Sequence, residues 1–297
     1  MPALSGLKGA FMSPTVLALV IAAAVAHASW NLLAKPAEGG AAFVWLCAVA
    51  GTLLYLPVLA VALVTDPGSL GWTALALMGG SGVLHALYFV LLQRAYGTGD
   101  LSVVYPLARG TGPLLSATAA IAFLGERPSL LALAGGALIV AAVFSLIGRS
   151  EGRGPADAGH GMLFAVLTGA ATAGYTLWDK HAVGVAGLSP IVYYWGTNLA
   201  NAGLLTPVAL RHRNELGQAW TVSRARAVGV GLLSPLAYVL ILYALARAPV
   251  SYVAPARESS IVVGTLLGIV VLHEQDRRRR LAAAAAILVG VVILTLG

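Results

Sequence analysis

The chain has 297 residues, of which 59% are hydrophobic and only 10% charged, where soluble domains carry about 25% charged residues. That balance excludes a soluble globular protein and describes a polytopic membrane protein. The net charge of +7 sits in short loops between apolar runs, so it reads as membrane orientation and not as a nucleic-acid footprint. The single cysteine, Cys47, leaves no intramolecular disulfide and no cysteine-based metal site.

Ten apolar runs follow in chain order: 14–34, 40–64, 71–93, 101–124, 128–148, 161–179, 188–210, 225–246, 250–272 and 280–296. Each is near the ~20 residues that a bilayer crossing requires. The first run has the length of a spanning helix and not of a cleavable signal core. Because backbone facing lipid must satisfy its own hydrogen bonds, the runs are expected to be helices and the fold class all-α. The linker RSEGRGPADAGH (149–160) is rich in charge and glycine and divides the chain into 1–148 and 161–297.

The two parts echo each other. AHASWNLLAK (26–35) matches ATAGYTLWDK (171–180); Trp45 and Pro57 return as Trp195 and Pro207; Ala95 and Ser102 return as Ala244 and Ser251. LIVAAVFSLIG closes the first part and ILVGVVILTLG the second. Five spans per part is an odd number, so the second part enters from the opposite side, and two inverted five-helix repeats around a central cavity are expected. Loops after the odd-numbered spans hold twelve Lys or Arg against four on the other side. That bias places both termini on the non-cytoplasmic side.

The pair SVVYPLARGTGPLLSATAAIAFLGER (102–127) and SYVAPARESSIVVGTLLGIVVLHEQ (251–275) is the most unusual feature. Each carries a proline and an arginine inside an apolar run, and buried arginine in hydrocarbon is costly and by default functional. Arg109, Arg257 and Glu258 admit two readings, an Arg–Glu ion pair across the repeats or an arginine that meets a substrate carboxylate. Pro106 and Pro255 remove backbone donors and are candidate hinges. Polar and aromatic residues recur at helical spacing: His27, Trp30 and Asn31; Ser81, His85 and Tyr88; Ser102, Tyr105 and Arg109; Thr172, Tyr175 and Thr176; Ser234 and Tyr238. Polar faces on this many helices imply a shared interior. The candidate substrate-binding residues are therefore Trp30, His85, Tyr88, Tyr105, Arg109, Tyr175, Tyr238, Arg257 and Glu258. Trp45, Trp72 and Trp220 read as interfacial anchors, and Asn198 and Asn201 as bonds between helices. Gly79, Gly80, Gly135, Gly136, Gly264 and Gly268 read as close-packing positions.

The string Gly97-Thr98-Gly99-Asp100 matches a motif of intramembrane aspartyl proteases, but such chemistry needs a second aspartate. Asp66, Asp157, Asp179 and Asp276 all fall in or beside the expected loops, which leaves Glu258 as the one mid-span carboxylate. No nucleotide-binding or metalloprotease motif is present. No enzyme activity, catalytic residue, cofactor or metal is expected.

The order and spacing of these motifs resemble the drug/metabolite transporter superfamily, specifically its ten-span EamA-type family. HASWNLLAK ending span 1, LLQRAYGTGDLSVVYPL joining spans 3 and 4, and the exits GER (125–127) and HEQ (273–275) carry the resemblance. It implies a secondary transporter in the inner membrane that exports small metabolites, often amino acids. The deep aromatics resemble those of aromatic amino acid exporters. A transporter of another metabolite, such as a sugar phosphate or nucleobase, and a membrane scaffold are the alternatives. The expected partners are a small-molecule substrate and the lipid bilayer, with no nucleic acid, and a fused pair of repeats is expected to work as a monomer.

Overall fold

A computed structural model describes residues 12–34, 40–65, 70–147, 155–211, 213–271 and 277–297. The repeat linker at 148–154, the exit motif at 273–275 and the loop cations Lys8, Lys35, Arg149 and Arg153 lie outside the described residues. Helices make up the fold: α1 (Pro14–Ala34), α2 (Gly40–Leu54), α3 (Leu56–Thr65), α4 (Trp72–Thr98), α5 (Leu101–Phe123), α6 (Leu130–Ser145), α7 (Pro155–Lys180), α8 (Pro190–Arg211), α9 (Arg213–Arg247), α10 (Val250–Ala256), α11 (Ser259–Val271) and α12 (Arg277–Leu296). A π-helical turn, His181–Val185, extends α7.

Among the described residues, five helices are long and apolar enough to cross a membrane, and a sixth if α2 and α3, bent by 45°, form one span. The count falls short of the ten apolar runs for physical reasons. α5 and α8 are long enough, but they carry Tyr105, Arg109, Asn198 and Asn201 in place of apolar residues. α6 has 16 residues, and the run at 250–272 is broken into α10 and α11.

α1 packs on α9 and α11, α4 on α7 and α8, and α2 on α8 and α9. α5 packs on α7 and α10, and α6 on α12. Small residues make these contacts close. A methyl added at Gly82 on α4 would stand 2.8 Å from the Ala200 Cβ of α8, and one at Gly231 on α9 would stand 2.7 Å from the Ala50 Cβ of α2. Gly135 meets α12 backbone to backbone: a methyl there would lie 2.5 Å from the Leu294 nitrogen and 2.6 Å from the Gly290 oxygen. Space around Gly79 and Gly264 is open, so the close-packing role expected of those two is not theirs. Gly135→Ala is expected to push α6 off α12 and to cost about 1–3 kcal/mol, the usual range for overpacking. A thermal unfolding midpoint in detergent equal to that of the unaltered protein would contradict this.

Glycine also ends two elements with left-handed backbone, Gly125 (φ 68°) after α5 and Gly187 (φ 70°) after the π-helical turn. Asp100 is the N-cap of α5, its carbonyl accepting from Val103 and Val104. That position agrees with the reading of Gly97–Asp100 as a turn between helices.

Candidate functional site

The two unusual stretches behave differently. α5 runs unbroken through Pro106 and Pro113, so the expected hinge at Pro106 lies in a continuous helix. The later stretch breaks after Ala256, one residue beyond Pro255. Arg257 and Glu258 form a turn there, with Glu258 N donating to Pro255 O at 3.0 Å and Ile261 N to Glu258 O at 2.9 Å. The i→i−4 ladder gives way there to i→i−3 bonds, and the turn sends the two charged side chains into different surroundings.

Glu258 meets Arg109 of α5, Oε2 to Nη2, at 3.0 Å. The pair is interior, with side chains 7% and 22% exposed respectively. The same Nη2 donates to Ser260 Oγ at 2.9 Å, and Arg109 Nη1 lies 3.4 Å from His27 Nε2. A guanidinium has only donors, so His27 accepts through Nε2 and its proton is placed on Nδ1. His27 in turn meets the Trp30 ring edge-on at 4.9 Å. Of the two readings of the charged trio, the ion pair between the two stretches is the one observed for Arg109.

Arg257 takes the other direction. Its guanidinium lies over the Tyr238 ring, 5.6 Å from the centroid. Among the described residues no carboxylate stands within ion-pair distance of it. Tyr238 belongs to a cluster of rings drawn from α4, α7, α8 and α9. His85 stacks on Tyr175 at 4.2 Å and meets Tyr238 edge-on at 5.4 Å. Tyr88 meets Tyr175 at 5.8 Å, and Tyr194 meets Tyr238 at 5.7 Å. His85 Nδ1 lies 2.9 Å from the Ser81 carbonyl. The proton is therefore assigned to Nδ1, leaving Nε2 as the acceptor.

Eight of the nine residues named from the sequence thus form two adjoining groups, Trp30, Arg109 and Glu258 around His27, and His85, Tyr88, Tyr175, Tyr238 and Arg257. Tyr105 is the exception. It is 41% exposed, while its neighbours Val104 and Pro106 take buried positions.

Asp179 corrects the sequence reading. It was expected in or beside a loop, but α7 continues into the π-helical turn and holds it in helix, with none of its surface exposed. Three hydroxyls from three helices donate to it: Ser81 of α4 (2.7 Å), Tyr193 of α8 (2.6 Å) and Tyr238 of α9 (2.5 Å). Glu258 is therefore not the one interior carboxylate. The signal was present in the spacing, since Asp179 lies four residues after Tyr175 and shares its face.

A second unanticipated carboxylate closes one end of the bundle. Glu126 accepts from Val250 N at 2.7 Å and Ser251 N at 2.8 Å, one oxygen each, and so caps α10. Beside it, Lys180 Nζ donates to Leu245 O (2.6 Å) and Ala248 O (3.0 Å) at the end of α9. All of α10 is buried.

The two asparagines of α8 differ, and Asn201 Oδ1 is buried without a hydrogen-bond partner. Asn198 donates to Ala48 O and Thr52 Oγ1, both at 2.9 Å, as expected of a bond between helices. Trp45, read as an interfacial anchor, instead donates to Thr206 Oγ1 at 3.0 Å across α2 and α8. Trp72 and Trp220 are exposed, as an interfacial position requires.

Residues 159–296 match the model of the EamA-like transporter family. That match covers the second part of the chain, which is similar to a family of multi-pass membrane transporters of small solutes. A protein of solved crystal structure, described only as "Crystal structure of protein", shares the fold with a TM-score of 0.76 at 20% identity. The similarity covers 95% of this chain and 96% of that one. No curated protein matches the sequence.

Proposed function

We propose that the protein is a secondary transporter that exports amino acids from the cell across the inner membrane, preferring aromatic or bulky apolar side chains, by alternating access. The observation that carries this reading is Arg257. Its cation lies over Tyr238 at the rim of a ring cluster, with no carboxylate within ion-pair distance among the described residues. A substrate carboxylate would complete that charge, and the rings of His85, Tyr88, Tyr175 and Tyr238 would pack an apolar or aromatic side chain. A phosphorylated substrate calls for several unpaired cations, and Arg109 is already held by Glu258. That favours a singly charged carboxylate.

In this reading the chain has ten spans in two inverted repeats, 1–148 and 161–297, with both termini non-cytoplasmic, and works as a monomer. The helix packing supports the repeat. Exchanging the halves turns α4 on α7 into α9 on α1, α2 on α9 into α8 on α4, and α5 on α7 into α11 on α1. The pairs α6–α12, α2–α8 and α5–α10 map onto themselves. Even the close contact of Gly82 with Ala200 has its counterpart in Gly231 with Ala50. The turn at Arg257–Glu258, next to Pro255, is a point about which α10 and α11 would bend.

Counterflow in proteoliposomes tests the function. Labelled phenylalanine is expected to exchange faster than labelled threonine, and Arg257→Gln to reduce exchange of both at least ten-fold. If no amino acid exchanges, the reading is wrong.

A further inference from the structure

Asp179 lies one hydrogen bond from the ring cluster, and the function just proposed does not use it. Its three hydroxyl partners have different consequences. Tyr193 is fully buried in the core, and Ser81 is a short side chain on the buried face of α4. Tyr238 joins the carboxylate to Arg257: its hydroxyl donates to Asp179 Oδ2, while its ring lies beneath Arg257 and against His85 and Tyr194. Ser81 Oγ also stands 3.3 Å from His85 Nδ1. A tyrosine ring on a flexible side chain has two torsions to fix. Here one end of the ring is tied to a carboxylate that Ser81 and Tyr193 hold in place from two other helices.

We propose that Asp179 is a positioning residue of the substrate site, which through the Tyr238 hydroxyl sets the ring that holds the Arg257 guanidinium. The chain of contacts to the cation is short: Asp179 to Tyr238 oxygen, Tyr238 ring to Arg257. The carboxylate accepts from all three hydroxyls, an arrangement that suits its ionised form, which is acceptor-only. An asparagine there keeps the volume and two of the acceptor bonds but turns a donor towards one hydroxyl. Of the three partners, Tyr238 is the one that carries the change to the Arg257 guanidinium. The proposal names Asp179 as acting on affinity, and it deepens the amino acid reading by fixing which side chain aligns the carboxylate-binding cation.

Two readouts on the full-length protein separate this proposal from that reading. In proteoliposome counterflow with labelled phenylalanine, Asp179→Asn and Tyr238→Phe are each expected to raise KM about ten-fold with a much smaller change in Vmax, the size of a lost cation–π alignment. The double variant is expected to be no worse than either single one, since both break the same link. Tyr193→Phe, which removes a different hydroxyl from Asp179, is expected to leave KM unchanged. The second readout needs no substrate. Modification of Arg257 by phenylglyoxal, followed by peptide mass spectrometry, is expected to speed up several-fold in Asp179→Asn and Tyr238→Phe and not in Tyr193→Phe. Equal modification rates in all variants, additive effects of the two changes, or an equal KM rise in Tyr193→Phe would overturn the proposal. Failure of the unaltered protein to exchange phenylalanine would refute the amino acid reading and leave the modification rates to decide on Asp179.

Discussion

Glu258→Gln destabilises the purified protein by about 3 kcal/mol, the lower end of the ~3–5 kcal/mol range for removing one partner of a buried ion pair. The carboxylate is almost wholly enclosed and Arg109 nearly so, at 7% and 22% side-chain exposure. Without Glu258 the guanidinium keeps only Ser260 Oγ and His27 Nε2, both neutral, and its charge stays in an apolar interior. The residual exposure of Arg109 lets solvent relieve part of that cost, which is why the lower figure is expected. Arg109→Met alone strands the carboxylate and is expected to cost as much. The double change, Arg109→Met with Glu258→Gln, leaves no charge to strand and is expected to recover most of the loss. Unfolding midpoints of the four proteins in detergent give the coupling directly. If the double variant is as unstable as the sum of the single ones, the pair is not the unit described. If Glu258→Gln also folds and transports unchanged, Glu258 has no part in the site.

Glu126→Gln opens the closed end of the bundle. The carboxylate satisfies two backbone N–H groups that start α10, one with each oxygen. Glutamine offers one acceptor oxygen and turns an amide donor against the second N–H. Charge-assisted hydrogen bonds contribute about 1.5–3 kcal/mol each, so the loss of one and the weakening of the other cost about 2–4 kcal/mol. The local consequence is easier to measure than the global one. Ser251 is now 6% exposed. A Ser251→Cys reporter in a Cys47→Ser background is expected to react with a water-soluble maleimide at least ten-fold faster once Glu126→Gln is added. An unchanged labelling rate would mean that α10 is held by its apolar contacts alone.

Much of this architecture can be read without coordinates because the bilayer reduces the options. Long apolar runs must be helices, since lipid offers no partner for the backbone. The candidate site was legible for a related reason: Arg109, Arg257, Glu258 and the polar faces carrying His85, Tyr88, Tyr175 and Tyr238 have no place in lipid, so each had to face protein. Tyr105 is 41% exposed and Trp45 donates its indole N–H to Thr206 on a neighbouring helix, details that helical spacing does not carry.

What composition and periodicity determine, then, is that this chain lives in a membrane, is helical and buries charge. Which charges pair was left to the tertiary structure. Glu258 has two candidate arginines, Arg109 and Arg257, and packing pairs it with Arg109, while Glu126 goes to the α10 amides. Asp179 looked like a loop residue until the helix was seen to continue through it, and only the meeting of α4, α7, α8 and α9 supplies the three hydroxyls that hold it. Periodicity reports which face of a helix is turned inward, whereas a hydrogen bond depends on which other helix stands opposite that face, and at what depth.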